Sequence, residues 1–323
     1  MRFAIVGAGA TGGFLGARLA RVGEDVTLIA RGSHLAAIRS GGLTVREDEG
    51  AFTVRPPATD DFEAVADADV VFLTLKAHAL TDAAVRLGRV MKAGATLVTA
   101  QNGVPWWYFQ DYSGPLAGCS LQSVDPGGVI AASIAIERVV GCVVYPATRV
   151  VEPGVVEHIE GTRFTIGEPD GSRTERCAAI SSALRHAGLK CPVSTRIRHE
   201  IWLKLLGNVA FNPVGALTGA TLGQIGADEQ AVVVVRAVME EAAAVAGALG
   251  VELDLGVDRR LRAAVEVGGH KPSMLQDVEA GRPLEVEALI GSVVELGALL
   301  DVPVPHLRTL YACTRLLDRI HPR

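Results

Sequence analysis

What this 323-residue chain has little of already narrows its class. Aromatic residues make up 5% of it, too few to build the core of a typical β-sandwich. Ala, Val, Leu and Gly dominate instead, a mix that suits layers of helix on sheet and helix on helix. The five cysteines, at 119, 142, 177, 191 and 313, are odd in number and include no C-x-x-C pair. They read as free side chains in a reducing compartment, not as a disulfide framework or a zinc site, and no metal is implied. Basic tracts and aromatic–basic interleaving are missing and the formal net charge is −5, which argues against nucleic acid as a partner. The apolar run at residues 1–6 is too short for a secretory signal, and Gly7 interrupts it at once. The most apolar later stretch, Ala231 to Leu249, carries Arg236, Glu240 and Glu241, which a bilayer span would not tolerate. The expectation is a cytoplasmic protein that does not engage membranes.

What is present is ample apolar material, 49% of residues. At roughly 100–200 residues per domain, that supports two cores. Phe3–Val6 is a short β-prone run, residues 14–20 have helical spacing and Asp25–Ala30 is β-prone again, so a β–α–β unit fits in the first 30 residues. Leu43–Val45 and Phe52–Val54 alternate around a charged turn and read as a hairpin. Asp69–Leu75 and Thr96–Ala100 are nearly continuous apolar strands, the pattern of a parallel sheet covered on both faces. Between 118 and 168, Val139–Val144, Val155–Ile159 and Arg163–Ile166 follow without intervening helices and are expected to extend the same sheet in antiparallel fashion. Residues 175–187 form a helix ended by Gly188, and Cys191–Ser194 is a last extended piece. From Thr195 onward the pattern is helical, at about 196–211, 228–249, 256–267, 271–280, 284–300 and 306–319. The fold class is therefore α/β, an N-terminal doubly wound sheet over residues 1–194 and a C-terminal all-α domain over residues 195–323.

The first strand runs into Gly7-Ala8-Gly9-Ala10-Thr11-Gly12, a G-x-G-x-x-G. Gly7 permits the tight turn, Gly9 lets the backbone approach a pyrophosphate, and Gly12 lets the helix pack closely, with the first-turn amides of Ala10 and Thr11 facing the phosphates. Alone the pattern is common in turns, but a strand before it and a helix after it make it a Rossmann dinucleotide fingerprint. The second strand ends Ile29-Ala30-Arg31. An NAD enzyme usually places an acid there for the ribose hydroxyls. Arginine in its place can pair bidentately with a 2′-phosphate, which favours NADP(H). Lys76, closing the strand at 69–75, offers a second cation.

Further on, Lys204, Asn208 and Asn212 are spaced by four in a helix expected to stop at Pro213. Each step of four drifts about 40°, so the three share one face. Such a stripe is often just the solvated side of an amphipathic helix. Two asparagines are poor helix formers, however, and suit a wall that orients a polar ligand. Ser273 and Glu285 each admit a plain reading, as a helix-start residue after Pro272 and as a first-turn acid.

Taken together and in order, the Gly7–Gly12 opening, Arg31, Leu75-Lys76-Ala77, Gln101-Asn102-Gly103, Lys204-x-x-x-Asn208-x-x-x-Asn212-Pro213, and Ser273-Met274-Leu275-Gln276-Asp277 with Glu285 give a chain that resembles the ketopantoate reductase family over essentially its whole length. The resemblance implies NADPH-dependent reduction of a 2-oxo acid, 2-dehydropantoate to (R)-pantoate in pantothenate synthesis. It implies that Arg31 and Lys76 hold the 2′-phosphate and that Asn102 sits by both nicotinamide and substrate. Lys204 would be the general acid, Asn208, Asn212 and Ser273 would orient the substrate, and Glu285 would bind a substrate hydroxyl and steady the lysine. A reductase of another 2-oxo acid and a non-catalytic NADP(H)-binding sensor are the alternatives; a homodimer is a further expectation. One departure stands out. Val104-Pro105-Trp106-Trp107-Tyr108-Phe109 follows the Gln101-Asn102-Gly103 turn, where the family commonly has smaller residues, and the two tryptophans either pack in the core or line the substrate cleft.

Overall fold

A computed structural model describes residues 1–253, 256–266 and 268–321. The chain forms two compact units, and the division is not a single cut. The first comprises residues 1–101 and 129–197, the second residues 102–128 and 198–323. The segment 102–128, placed by sequence pattern with the sheet, belongs to the helical unit. Its string of large apolar side chains from Val104 to Phe109 is buried there.

In the first unit a seven-stranded sheet has the order β11-β8-β7-β6-β1-β2-β5. Its strands are β1 (Arg2–Val6), β2 (Asp25–Ile29), β5 (Ala58–Thr59), β6 (Val70–Leu73), β7 (Thr96–Thr99), β8 (Val139–Val144) and β11 (Phe164–Gly167). All pairings are parallel except β8 with β11. Strands β6, β7 and β8 are buried throughout, as their unbroken apolar runs require. Helices α1 (Ala10–Arg21), α2 (Gly32–Gly41), α3 (Leu80–Val90), α4 (Val129–Ser133) and α5 (Glu175–His186) complete the layers.

The late β-run departs from expectation. Only β8 and β11 extend the main sheet. A second, four-stranded sheet has the order β4-β3-β10-β9, built from β3 (Leu43–Glu47), β4 (Gly50–Val54), β9 (Ala147–Glu152) and β10 (Val155–Glu160). The β3–β4 hairpin offers a free edge, and β10 pairs with it in parallel. An unpaired edge is a strong template for another strand of the same chain.

Strand order reverses between β1 and its two neighbours, β2 and β6. In open α/β sheets the crevice beyond the carboxyl ends at such a point is where ligands bind. The registers Val6↔Ile29, Val6↔Leu73 and Leu73↔Thr99 align those ends, so the Gly7 turn, Ala30-Arg31 and Thr74–Lys76 all leave the same edge.

In the second unit α6 (Ile197–Thr218, its first residue in the first unit), α7 (Leu222–Ala227), α8 (Glu229–Ala248), α9 (Val257–Glu266), α10 (Ser273–Glu279), α11 (Ser292–Leu299) and α12 (Pro305–Ile320) make up the fold. Helix α8 is central and packs on α7, α9, α11 and α12. Its buried residues Val235, Val238, Met239, Ala242, Val245 and Ala246 follow the stripe of a core-facing helix. Helix α6 does not stop at Pro213 but continues to Thr218. A proline removes one backbone bond and crowds the preceding turn. Residues 209–216 are all buried, and that packing carries the helix through. The expected helix at 256–267 is found as α9; Val267 lies outside the described residues, as do residues 254, 255, 322 and 323 of the 195–323 domain. No helix among the described residues is long and apolar enough to cross a membrane.

His34, in the first turn of α2, ties the glycine turn to the second sheet. Its Nε2 lies 2.9 Å from the Ala8 carbonyl, and its Nδ1 accepts from the Gly154 amide at 3.0 Å. Both contacts require the neutral ring with the proton on Nε2. Burial holds its pKa below the ordinary 6.5, against the raising effect of the Ala8 bond. As pH falls below the ordinary value, the unfolded chain takes up a proton that the native ring resists, so native stability drops through that window and levels off below the depressed pKa. Thermal unfolding from about pH 7.5 to about pH 5 should show a smaller acid loss for His34→Gln, which keeps a donor and an acceptor without titrating. An equally steep loss in the variant would show that other groups control the acid limb.

Candidate active site

The first unit presents a cradle for a dinucleotide. The amides of Gly7 and Ala8 donate to the Ile29 carbonyl at 3.1 and 2.9 Å, pinning the turn to the end of β2. Gly7 has φ +101, and a Cβ there would meet Leu75 Cδ2 at 2.8 Å. A Cβ on Gly12 would overlap Thr74 Oγ1 and the Gly7 carbonyl. Thr74 Oγ1 in turn bonds to the Gly7 carbonyl at 2.8 Å. Gly9, by contrast, faces open space within 4 Å of where a Cβ would stand. It precedes α1, whose N-terminus has no side-chain cap and no acid in its first turn. Uncapped first-turn amides beside open space, with the glycines packed where packing is needed, fit a pyrophosphate.

Arg31 is the N-cap residue of α2, with extended backbone and an exposed side chain. Its side chain makes no hydrogen bond or ion pair among the described residues. The first turn of α2 also lacks an acid, so the position suits an anion. Lys76 is half-buried and lies three residues beyond β6, at the start of a 3₁₀ turn (Ala77–Ala79).

The second unit brings Lys204, Asn102 and Glu285 together. Lys204 Nζ donates to Asn102 Oδ1 at 2.6 Å, and Asn102 Nδ2 donates to Glu285 Oε2 at 3.4 Å. These bonds orient the Asn102 amide, its oxygen toward the ammonium and its nitrogen toward the carboxylate. Glu285 immediately precedes the helical residue Val286, and its carbonyl accepts from Leu289.

The remaining residues form a second group. Asn212, 4% exposed, accepts through Oδ1 from Ser273 Oγ at 3.0 Å and from the Met274 amide at 3.1 Å. Its carbonyl oxygen therefore caps the start of α10, and only its amide nitrogen is left to donate. The side chain of Asn208, half-buried on the same face of α6, makes no hydrogen bond among the described residues. No group of His, Cys, Asp and Glu among the described residues is placed to hold a metal ion.

The tandem tryptophans pack in the core. Trp106 and Trp107 are 3% and 1% exposed. The Arg198 guanidinium lies over Trp107, Tyr108 and Tyr112, 5.0–5.9 Å from the ring centroids. It donates to the carbonyls of Tyr108 (2.7 Å) and Gln110 (2.8 Å). Trp202 Nε1 donates to the Tyr108 hydroxyl at 2.8 Å. The Trp106 indole N–H has no acceptor among the described residues, a cost of about 1–3 kcal/mol that the burial of the ring offsets. Sequence reasoning missed Arg198 and Trp202 as partners of this segment, because their link to it is purely spatial. Thr74 was also missed, although its place between β6 and Lys76 was a usable signal.

The N-terminal residues 3–106 match the family model described as ketopantoate reductase PanE/ApbA, and residues 196–318 match its C-terminal counterpart. A 2-dehydropantoate 2-reductase from Mesorhizobium japonicum is 48% identical, with 98% of each chain covered. The chain belongs to the ketopantoate reductase family. A 2-dehydropantoate 2-reductase from Halobacterium salinarum is 33% identical over 99% of each chain. The crystal structure of a PanE/ApbA family ketopantoate reductase from Ralstonia eutropha JMP134 matches with TM-score 0.85 at 31% identity, covering 99% of each chain. Membership in the ketopantoate reductase family makes the chain an oxidoreductase with a nicotinamide cofactor and a small-molecule substrate.

If the tryptophan pair belongs to the core, Trp107→Ala should cost about 3–5 kcal/mol of stability, the usual loss for a buried indole. The order of preference among 2-oxo acids should stay that of the parent. Denaturant unfolding and a substrate panel measure the two. A stable variant with a reordered panel would return Trp107 to the cleft.

Proposed function

We propose that this chain reduces 2-dehydropantoate to (R)-pantoate with NADPH. The observation that carries the reading is the hydrogen-bonded series Lys204–Asn102–Glu285, with an ammonium at one end and a carboxylate at the other. The reduced nicotinamide, when bound, supplies the hydride. Reduction of a ketone would place developing negative charge on its oxygen. A preorganised ammonium stabilises that charge and then delivers the proton that completes the alcohol. Lys204 is assigned this role.

Asn102 keeps the Lys204 side chain from swinging freely, because its oxygen accepts from Nζ. Glu285 accepts from the substrate hydroxyl, and Asn208, Asn212 and Ser273 orient the rest of the molecule. Asn208 supports this through its open amide; Asn212 has only its nitrogen to offer, since its oxygen caps α10. Gly7, Gly9, Ala10, Thr11 and Gly12 hold the pyrophosphate, and Arg31 with Lys76 holds the 2′-phosphate. The resemblance to a 2-dehydropantoate 2-reductase at 48% identity over nearly the whole chain supports the choice of substrate. The burial of Trp106 and Trp107 supports the same choice, since only tryptophans lining the cleft would have put it in doubt.

Two outcomes test the reading. NADPH should bind more tightly than NADH, and Arg31→Ala should weaken NADPH alone, by about 1.5–3 kcal/mol or ten- to hundredfold. Fluorescence titration with both nucleotides measures this, and equal affinities in the parent would overturn the cofactor assignment. Lys204→Ala should bind NADPH as the parent does, since the phosphate-binding residues lie in the first unit, while turnover of 2-dehydropantoate falls about 10²–10⁴-fold. Steady-state turnover within about threefold of the parent, the scale of a surface change of no consequence, would remove the lysine from the chemistry.

A further inference from the structure

The helix that begins at Val286 opens with a π turn over Glu287–Gly291 before settling into α11. Such turns insert one residue into a helix and recur at functional sites. Replacing this one by an ordinary α turn would rotate what precedes it by about 100° relative to α11. Glu285 stands two residues before it.

The turn is held from two sides. On one side its Ala288 carbonyl accepts from Ser292 Oγ at 2.8 Å and from the Val104 amide at 3.4 Å. Gly103 lies so close to that carbonyl that a Cβ would overlap it, and its φ of +86 is one that L side chains rarely adopt. Both facts demand glycine there. On the other side the Glu287 carboxylate is braced by α12. It accepts from Tyr311 OH at 2.7 Å and pairs with Arg315 Nε at 3.5 Å. A Cβ on Gly291 would meet Glu287 Oε2 at 2.5 Å and Tyr311 Cε2 at 3.2 Å, so this glycine leaves room for the brace.

Asn102 is the residue before Gly103, and Glu285 is the residue before Val286. One backbone device therefore fixes both of the residues that follow Lys204 in the series. We propose that the π turn, braced by Tyr311 and latched to Gly103 and Val104 through the Ala288 carbonyl, is the positioning element that sets Asn102 and Glu285 around Lys204. Gly103, Glu287 and Tyr311 are positioning residues. The proposal rests on the assignment of Lys204 as proton donor.

The test uses the full chain and four variants, Gly103→Ala, Tyr311→Phe, Glu287→Gln and Lys204→Ala. The kcat and KM for 2-dehydropantoate, NADPH affinity and melting temperature are measured for each. A misplacement on the scale of an ångström in a catalytic site costs about a hundredfold, and Gly103→Ala should lose that much in kcat while its NADPH affinity stays that of the parent. Tyr311→Phe removes one hydroxyl far along the chain from the site; it should lower kcat by a smaller factor and raise the KM for 2-dehydropantoate, whose hydroxyl Glu285 receives, while NADPH affinity stays that of the parent. Glu287→Gln, which can still accept from Tyr311, should stay closer to the parent than Tyr311→Phe.

A folded Tyr311→Phe protein with the parent's kcat and KM would overturn the proposal, whatever its melting temperature. If Gly103→Ala does not fold, Tyr311→Phe decides alone. Lys204→Ala separates the two levels of the argument. If it keeps parental turnover, the proton-donor assignment fails and the positioning proposal with it. If it is inactive while Tyr311→Phe is indistinguishable from the parent, only the positioning proposal fails.

Discussion

The bond from Lys204 Nζ to Asn102 Oδ1 joins two parts of the chain that are 102 residues apart in sequence. Much of the second unit serves to make that meeting possible. Asn102 opens the segment that Arg198 and Trp202 hold in the helical core, through the carbonyls of Tyr108 and Gln110 and the Tyr108 hydroxyl. Lys204 lies on the same helix as Arg198 and Trp202, within two turns of either. The helix that supplies the lysine thus also anchors the segment that supplies its partner. An ammonium confined in this way loses little further freedom when a carbonyl oxygen arrives, which is the entropic core of a preorganised site.

The glycine turn obeys the same logic in the first unit. Its phosphate-facing side is open at Gly9, while Gly7 and Gly12 are pressed against Leu75 and Thr74. His34 holds the Ala8 carbonyl from α2. A rigid backbone cradle can hold an anion with amides that need not reorganise on binding.

The parts legible in the sequence were those governed by local rules. The glycine fingerprint announces itself because each glycine answers a separate steric demand, and the spacing of Lys204, Asn208 and Asn212 is fixed by helical periodicity. The buried parallel strands show as unbroken apolar runs. What escaped was decided by distant partners. Strand β10 has the same alternation whichever edge it joins, and only the presence of the β3 edge settles the matter. Pro213 is a local stop signal that packing on both sides overrides. The aromatic run from Trp106 to Phe109 is equally at home in a core or a cleft until Arg198 is seen beside it. Asn212 looked like a ligand group, and its oxygen turned out to be occupied by the start of α10, sixty-odd residues later in the chain.

The assignment of residues 102–128 to the helical unit has a consequence for how this chain comes to be folded. The backbone passes between the units three times, after residues 101, 128 and 197. The aromatic segment leaves the ribosome well before α6 and the helices that follow it, so Trp106, Trp107, Tyr108 and Phe109 have no core to enter until most of the polypeptide exists. During synthesis they form an apolar stretch in waiting, a site for chaperones and a risk of aggregation if translation stalls. Neither unit can be expressed as one continuous piece: a fragment ending at 194 would carry these rings without their cover, and a fragment starting there would have a hole where they belong.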